Sequence, residues 1–402
     1  PKDGYLVAGL ADEVRAKLTA TRGLQVTARG SSAQYQNTTK SPQQIGEELG
    51  VQYLLTGTVG WEKGSDAAGR WQIRPKLIQV SPEAPIWEAS FDGVLTDVFQ
   101  VSADIADGVA QSVDLAPTEN VGQRLVAKPT ANLAGYDAFL RGEAASQGMS
   151  ATDSPSLRQA VAWYEKAVAL DSTFGEAWAQ LARARASLSR DGKLAPARAD
   201  AARRAAERAS ALAPDRPESH LAWATYYQLV DPDHRRAFTA SSTAVALAPG
   251  NADALSGLAA SELALGRWKA AEAHLEQATR LDPRSGVVAA RLGLVLLYTR
   301  QYPEARRAYD RALAAAPTNL EYRQRRAMVA LAHGDLAWAR TVLQGAPRDI
   351  DSTALLAYTA TDNDLIWAMD EAQQQQLLRL RPAAFNGDRA EWGIVLAQTY
   401  AL

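Results

Sequence analysis

The chain has 402 residues, 47% hydrophobic and 22% charged, with a formal net charge of −2. That length suits two or three ordinary domains, and the composition supports a sizeable core. It excludes the strong positive field by which proteins hold nucleic acid or an anionic membrane surface. No apolar run reaches eighteen residues, so no segment reads as a membrane-spanning helix. The absence of cysteine removes disulfides, thiolate nucleophiles and cysteine-ligated zinc.

Helix and strand signals alternate over residues 1–117. GLADEVRAKLTATRGL places Leu10, Val14 and Leu18 on one helical face, with Gly23 as its stop. LQVTARG reads as a short strand. SPQQIGEELG predicts a helix capped by Ser41, with Pro42 in its first turn and Gly50 at its end. VQYLLTGTVGW reads as a strand buried on both faces. WQIRPKL alternates, with Trp71, Ile73 and Leu77 on one side, and IWEASF alternates through Trp87, Ala89 and Phe91, so the two form a candidate hairpin. Pro75 lacks a backbone donor and predicts an edge or bulge. DVFQVSADIADGVAQSV closes the region as an amphipathic helix. The expected fold is a small α/β domain with a mixed sheet.

Residues 118–133 read as a linker, rich in Pro, Asn and Gly. From 134 to 402 only helix signals follow, and they repeat. Pro249, Pro283 and Pro317 are spaced by 34 residues; Ala237, Ala271 and Ala305 precede them by twelve, and Ala244, Ala278 and Ala312 by five. Leu258 and Leu292 match in register, each followed by a small residue, Ala259 and Gly293. Small residues at fixed intervals let two helices cross closely. SLSRDGKLAPAR (187–198) is too long for the period and reads as a loop insertion or lengthened helices. The register loosens after Pro317, and DRAEWGIVLAQTYAL predicts the first helix of a final, incomplete repeat.

These spacings resemble the tetratricopeptide repeat, implying an all-α superhelical solenoid of six to seven repeats. The first half is similar to the TolB-like (FlgO-like) amino-terminal domain, through GLADEVRAKL, GLQVTARGSSAQYQ, IGEELGVQYLLTGTV, APIWEASFDG and the DVFQVSADIADGVAQSV helix. In that family a hydrophobic strand precedes the first helix. It is missing here, so the expectation is that the sequence lacks its first strand and belongs to the middle of a longer protein. The resemblance implies the non-catalytic part of a bacterial kinase, adenylate cyclase or CadC-type regulator. It further implies a periplasmic location, with the membrane reached only through a tether outside this segment; a cytoplasmic location is the alternative.

No catalytic, metal-binding or cofactor-binding set is expected. The four histidines His220, His234, His274 and His333 fall in no ligand spacing. TDND at 361–364 reads as a helix-capping turn, and the basic clusters ARRAAERA (202–209) and YRQRRA (322–327) as solvated helix faces, with contact to phosphate or an acidic partner as the alternative. The tryptophans in repeat helices read as packing residues. Function is expected on the concave surface lined by first helices. The repeat register assigns to it Ser219, Ala222, Tyr226, Leu229, Asp253, Ser256, Ala260, Val287, Ala290, Leu294, Tyr298, Glu321, Gln324 and Met328. This lining is small, apolar and aromatic, suited to an apolar peptide of a protein partner. The alternative is a groove that is filled by the protein's own chain or takes no ligand.

Overall fold

A computed structural model describes residues 4–21, 23–62, 70–94, 98–113, 129–146, 154–188, 196–345, 347–348 and 350–401. Most of the expected linker and of the 187–198 insertion lies outside these residues. The chain forms two compact units: residues 1–267 with 280–283, and residues 268–279 with 284–402.

The first unit opens with α1 (Gly4–Ala20), the one-turn α2 (Arg29–Ser32) and α3 (Pro42–Leu49). Four strands follow: β1 (Tyr53–Glu62), β2 (Arg70–Gln79), β3 (Ala84–Glu88) and β4 (Phe91–Val94). α4 (Val98–Ser112) closes this part. α3 starts and stops where the sequence predicts, with a reciprocal capping box between Ser41 and Gln44 and a left-handed Gly50.

The sheet differs from expectation in three respects. All described pairings are antiparallel, so it is not mixed; β2 is central, with β1 on one side and β3 and β4 sharing the other. β1 is an edge strand whose Tyr53 is 40% exposed, not a strand buried on both faces. Pro75 sits on the central strand opposite Gly57. Its carbonyl accepts from Ala89 at 3.2 Å, so its nitrogen faces that same side, where β3 ends and β4 begins. A residue without a donor is tolerated at that gap. LQVTARG joins no strand; its partner lies elsewhere, as shown below.

The repeat helices of the first unit are α5 (Leu133–Ser146), α6 (Ser154–Leu170), α7 (Gly175–Ser187), α8 (Pro196–Leu212), α9 (Pro217–Leu229), α10 (His234–Leu247) and α11 (Ala252–Ala264). They pack as antiparallel pairs, α5 with α6, α7 with α8 and α9 with α10. One apolar core runs from the sheet through α1 and α4 to α9, and Leu221, Ala244 and Ala254 form a separate cluster beyond it. Trp71, Ile73 and Leu77 of β2 meet Leu10, Val14 and Leu18 of α1 and Phe99 of α4. Phe99 contacts Tyr136 of α5 edge-on at 5.0 Å, and Phe139 reaches Phe174 at 4.9 Å. The apolar face of α1 is thus covered chiefly by α4.

α12 (Trp268–Leu281) is followed by α13 (Gly286–Tyr298), α14 (Tyr302–Ala315), α15 (Leu320–Ala332), α16 (Leu336–Gln344) and α17 (Ser352–Ala360). The one-turn α18 (Asn363–Ile366), α19 (Glu371–Leu377) and α20 (Arg389–Tyr400) end the second unit. In it α13 pairs with α14 and α15 with α16.

The 34-residue period is written into the backbone. Asn251, Ser285 and Asn319 each cap a first helix, their side chains accepting from Ala254, Val288 and Tyr322. Each first helix ends in a Schellman-type bond, Arg267 N to Glu262 O, Gln301 N to Leu296 O and Asp335 N to Ala330 O, at 2.8–2.9 Å. The residue before each donor has positive φ: Gly266 (71°), Arg300 (62°) and Gly334 (83°). Ala237, Ala271, Ala305 and Ala339 are fully buried. A Cβ on Gly293 would lie 2.7 Å from the Tyr309 ring, so that crossing admits no side chain.

Arg300 carries a side chain where the equivalent turns use glycine. Arg300→Gly is expected to raise the unfolding free energy by about 1 kcal/mol, the left-handed penalty exceeding glycine's backbone entropy. Urea titration checks it; an unchanged or lowered midpoint would refute strain at this turn.

Candidate functional site

In the first unit, the first helices and the turns leading into them receive the protein's own amino-terminal segment. Gly9 of α1 lies so close to α5 that a Cβ there would fall 2.5 Å from Leu140. The Tyr136 hydroxyl donates to Glu13 at 3.1 Å. A Cβ on Gly250, in the turn before α11, would lie 3.5 Å from the Thr19 side chain. The LQVTARG segment then places Ala28 N 2.7 Å from Leu281 O, at the end of α12. Ser31, fully buried, donates to Asp282 at 2.5 Å. Arg29 pairs with Asp12 and lies 3.9 Å from Glu143 of α5. The predicted strand is therefore an extended strap whose backbone bonds a repeat turn instead of a sheet.

A charged network supports this docking. Glu143 accepts from the Tyr164 hydroxyl at 2.6 Å. Arg183 of α7 reaches Asp253 of α11 at 3.2 Å, and Arg216 stands 3.9 Å from Glu176. Burial pushes the carboxyls of Glu13, Glu143 and Asp282 above the ordinary range, against the opposing pull of Lys17, Tyr164 and Ser31 respectively. Glu176 is raised well above its usual value by burial and then by Glu218. Burial lowers Lys17.

The positions assigned to the concave face separate accordingly. Ser219 is buried and donates to Ala213 O at 2.8 Å. Ala222 belongs to the core, Tyr226 is 8% exposed against Trp223, and Ser256 is buried. Gln324 is buried and donates to Tyr358 O at 2.9 Å. These five face neighbouring helices and present almost no surface, which corrects the register-based assignment. Leu229 and Ala260 are half-buried, and Asp253 is exposed but held by Arg183. In the second unit Val287, Ala290 and Leu294 are half-buried and Tyr298 is 58% exposed, forming one stripe along α13. Glu321 and Met328 of α15 are half-buried.

YRQRRA is not a solvated face. Arg323 is buried and donates to Val342 O, Gly345 O and Pro317 O at 3.0–3.3 Å, while Arg326 pairs with Asp310 at 2.6 Å. Two tryptophans bond turns beside their helices: Trp178 donates to Ser172 O and Trp392 to Leu380 O. Trp268 is 38% exposed and packs on Tyr298 at 5.3 Å. Among the described residues, no three His, Asp or Glu side chains come together to hold a metal ion.

Family models of the tetratricopeptide repeat match residues 233–292 and 288–319, so the chain carries such repeats. "Putative adenylate cyclase 3" of Rhizobium meliloti (strain 1021) is 26% identical over 159 residues, 40% of this chain. The chain spans 26% of that protein's length. Among solved structures, the tetratricopeptide protein TTC0263 of Thermus thermophilus is 21% identical, with a TM-score of 0.41, over 49% of this chain and all of that one. A tetratricopeptide repeat protein of Parabacteroides merdae ATCC 43184 is 14% identical, with a TM-score of 0.44, over 67% of this chain and 99% of that one.

The raised carboxyls give docking a pH dependence. Each holds its proton more tightly in the folded chain, where it is buried, than in the unfolded one. Their contribution is therefore full below the ordinary carboxylate range and is lost as pH rises through the raised values. Lys17 acts in the opposite sense, on the alkaline side. Hydrogen exchange of the Ala28 amide, corrected for intrinsic rate, should show protection falling as pH rises above the ordinary carboxylate range, and Glu143→Gln should flatten the fall. A flat wild-type profile would refute control by these carboxyls.

Proposed function

We propose that this chain is a non-catalytic scaffold that holds a protein partner on the α13 stripe of the second unit. Tetratricopeptide repeats are protein-interaction units, and that much follows from the family matches. The observation that carries the finer reading is a contrast. On α9 the lining positions Ser219, Ala222 and Tyr226 are buried, and elsewhere in that unit the strap docks on α5 and at Leu281 and Asp282. On α13 the corresponding stripe of Val287, Ala290 and Leu294 keeps surface open and ends in the exposed pair Tyr298 and Trp268. An amphipathic or extended apolar peptide fits such a stripe, and aromatic anchors are the side chains that most often carry binding energy.

A second reading is favoured by the adenylate cyclase similarity: the chain is the regulatory region of a longer signalling protein, with a TolB-like amino-terminal part and a membrane tether outside the segment. The two readings are compatible, since a regulatory region acts by binding.

Tyr298→Glu places a charge at an exposed position. It should abolish partner capture by the full chain, read by affinity purification and mass spectrometry, and leave the urea midpoint unchanged. Tyr226→Glu, by contrast, should lower the midpoint by burying an unpaired charge, a cost of about 3 kcal/mol or more. An unchanged partner set with Tyr298→Glu and with Val287→Glu would overturn the assignment.

A further inference from the structure

The basic cluster at 202–209 lines an open cleft of about 650 Å³ between α6 and α8, with α7 beneath it. Val168, Leu181 and Ala205 are buried in its floor, and Ala201 leaves the α8 wall without bulk. Three guanidinium groups border it, Arg185, Arg204 and Arg208, against one carboxylate, Glu165.

The cations are spread along the cleft. Arg185 marks one end, bonded to Glu165 at 2.8 Å and to Ala201 O at 3.0 Å. Arg208 marks the other, where it and Trp178 both donate to Ser172 O. Arg204 stands between them on α8, its side chain 63% exposed and 3.7 Å from Asp200. Asp200 is shared with Arg203, which also bonds Glu207. Arg204 and Arg208 thus project one helical turn apart, beside a hollow where Ala201 and Ala205 supply only methyl groups.

We propose that this cleft docks an acidic amphipathic helix of a protein partner, with two carboxylates one turn apart on Arg204 and Arg208 and an apolar side chain between them over the alanines. Charge complementarity selects this occupant. Side chains at i and i+4 of a docked helix are spaced as Arg204 and Arg208 are, and the fork of each guanidinium matches a carboxylate. The apolar floor suits an inserted side chain. A continuous polyanion fits less well, because Glu165, Asp200 and Glu207 interrupt the positive surface at short intervals. The site lies in the first unit and does not depend on the α13 stripe.

The test uses the full chain and a labelled alanine-based peptide helix carrying two Glu one turn apart with a Leu between them, followed by fluorescence anisotropy. The Glu peptide should bind and its Lys counterpart should not. Arg204→Gln/Arg208→Gln should weaken binding about tenfold, a typical sum for two charged rim contacts. Arg235→Gln/Arg311→Gln, which removes two exposed cations elsewhere, should not weaken it. Three outcomes would overturn the proposal: no binding of the Glu peptide, equal loss in both double variants, or stronger binding of a short oligothymidylate that the cleft variant abolishes.

Discussion

Everything in the repeat half depends on how closely two helices can cross. Ala237, Ala271, Ala305 and Ala339 are fully buried at intervals of 34, and Gly293 leaves no space between its helix and the Tyr309 ring. A larger side chain at such a crossing would separate the helices and cost about 1–3 kcal/mol in strain. The period is therefore a steric constraint, and small residues at fixed intervals announce it in the sequence. The same device ties the amino-terminal part to the repeats: Gly9 lets α1 approach Leu140 as closely as repeat helices approach each other.

What was legible follows from locality. A crossing alanine, a Pro after a helix and a capping Ser each act within one or two turns of their own position, so their spacing carries the architecture. The caps Asn251, Ser285 and Asn319 and the turns Gly266, Arg300 and Gly334 share the period and could have been read the same way. Arg300 hides the turn signal because it breaks the glycine pattern. The sheet was less legible. A run of apolar, β-branched residues fits an edge strand as well as a buried one, and only its neighbours decide. Pro75 pointed to an irregularity, but the irregularity is a change of partner on the central strand.

The site was harder to read, for a different reason. Register locates a residue on a helix face but not what covers that face. Ser31 and Asp282 are 251 residues apart, and nothing near either one signals the bond. LQVTARG has the composition of a strand because extended backbone is what it adopts. Its donor at Ala28 finds a carbonyl at the end of a repeat helix instead of in a ladder. Arg323 shows the same limit. In sequence it is one of several basic residues on an alanine-rich helix, whereas in the fold it satisfies three carbonyls at the turns around α15 and α16.

Occupation of one face by the chain itself bears on how a scaffold of this kind acquires specificity. The strap is held by directional bonds at Ala28 and Ser31 and by ion pairs of Arg29, over a layer of carboxyls whose burial is unfavourable when they are charged. Such an interface is selective, because any replacement must satisfy the same donors and acceptors or leave buried groups unpaired. A competing peptide must also overcome an intramolecular segment present at high effective concentration. An external partner would then bind on surfaces other than the one the strap occupies. The open α13 stripe is apolar and aromatic, and the α6–α8 cleft is cationic, so the two surfaces would select partners of different chemistry.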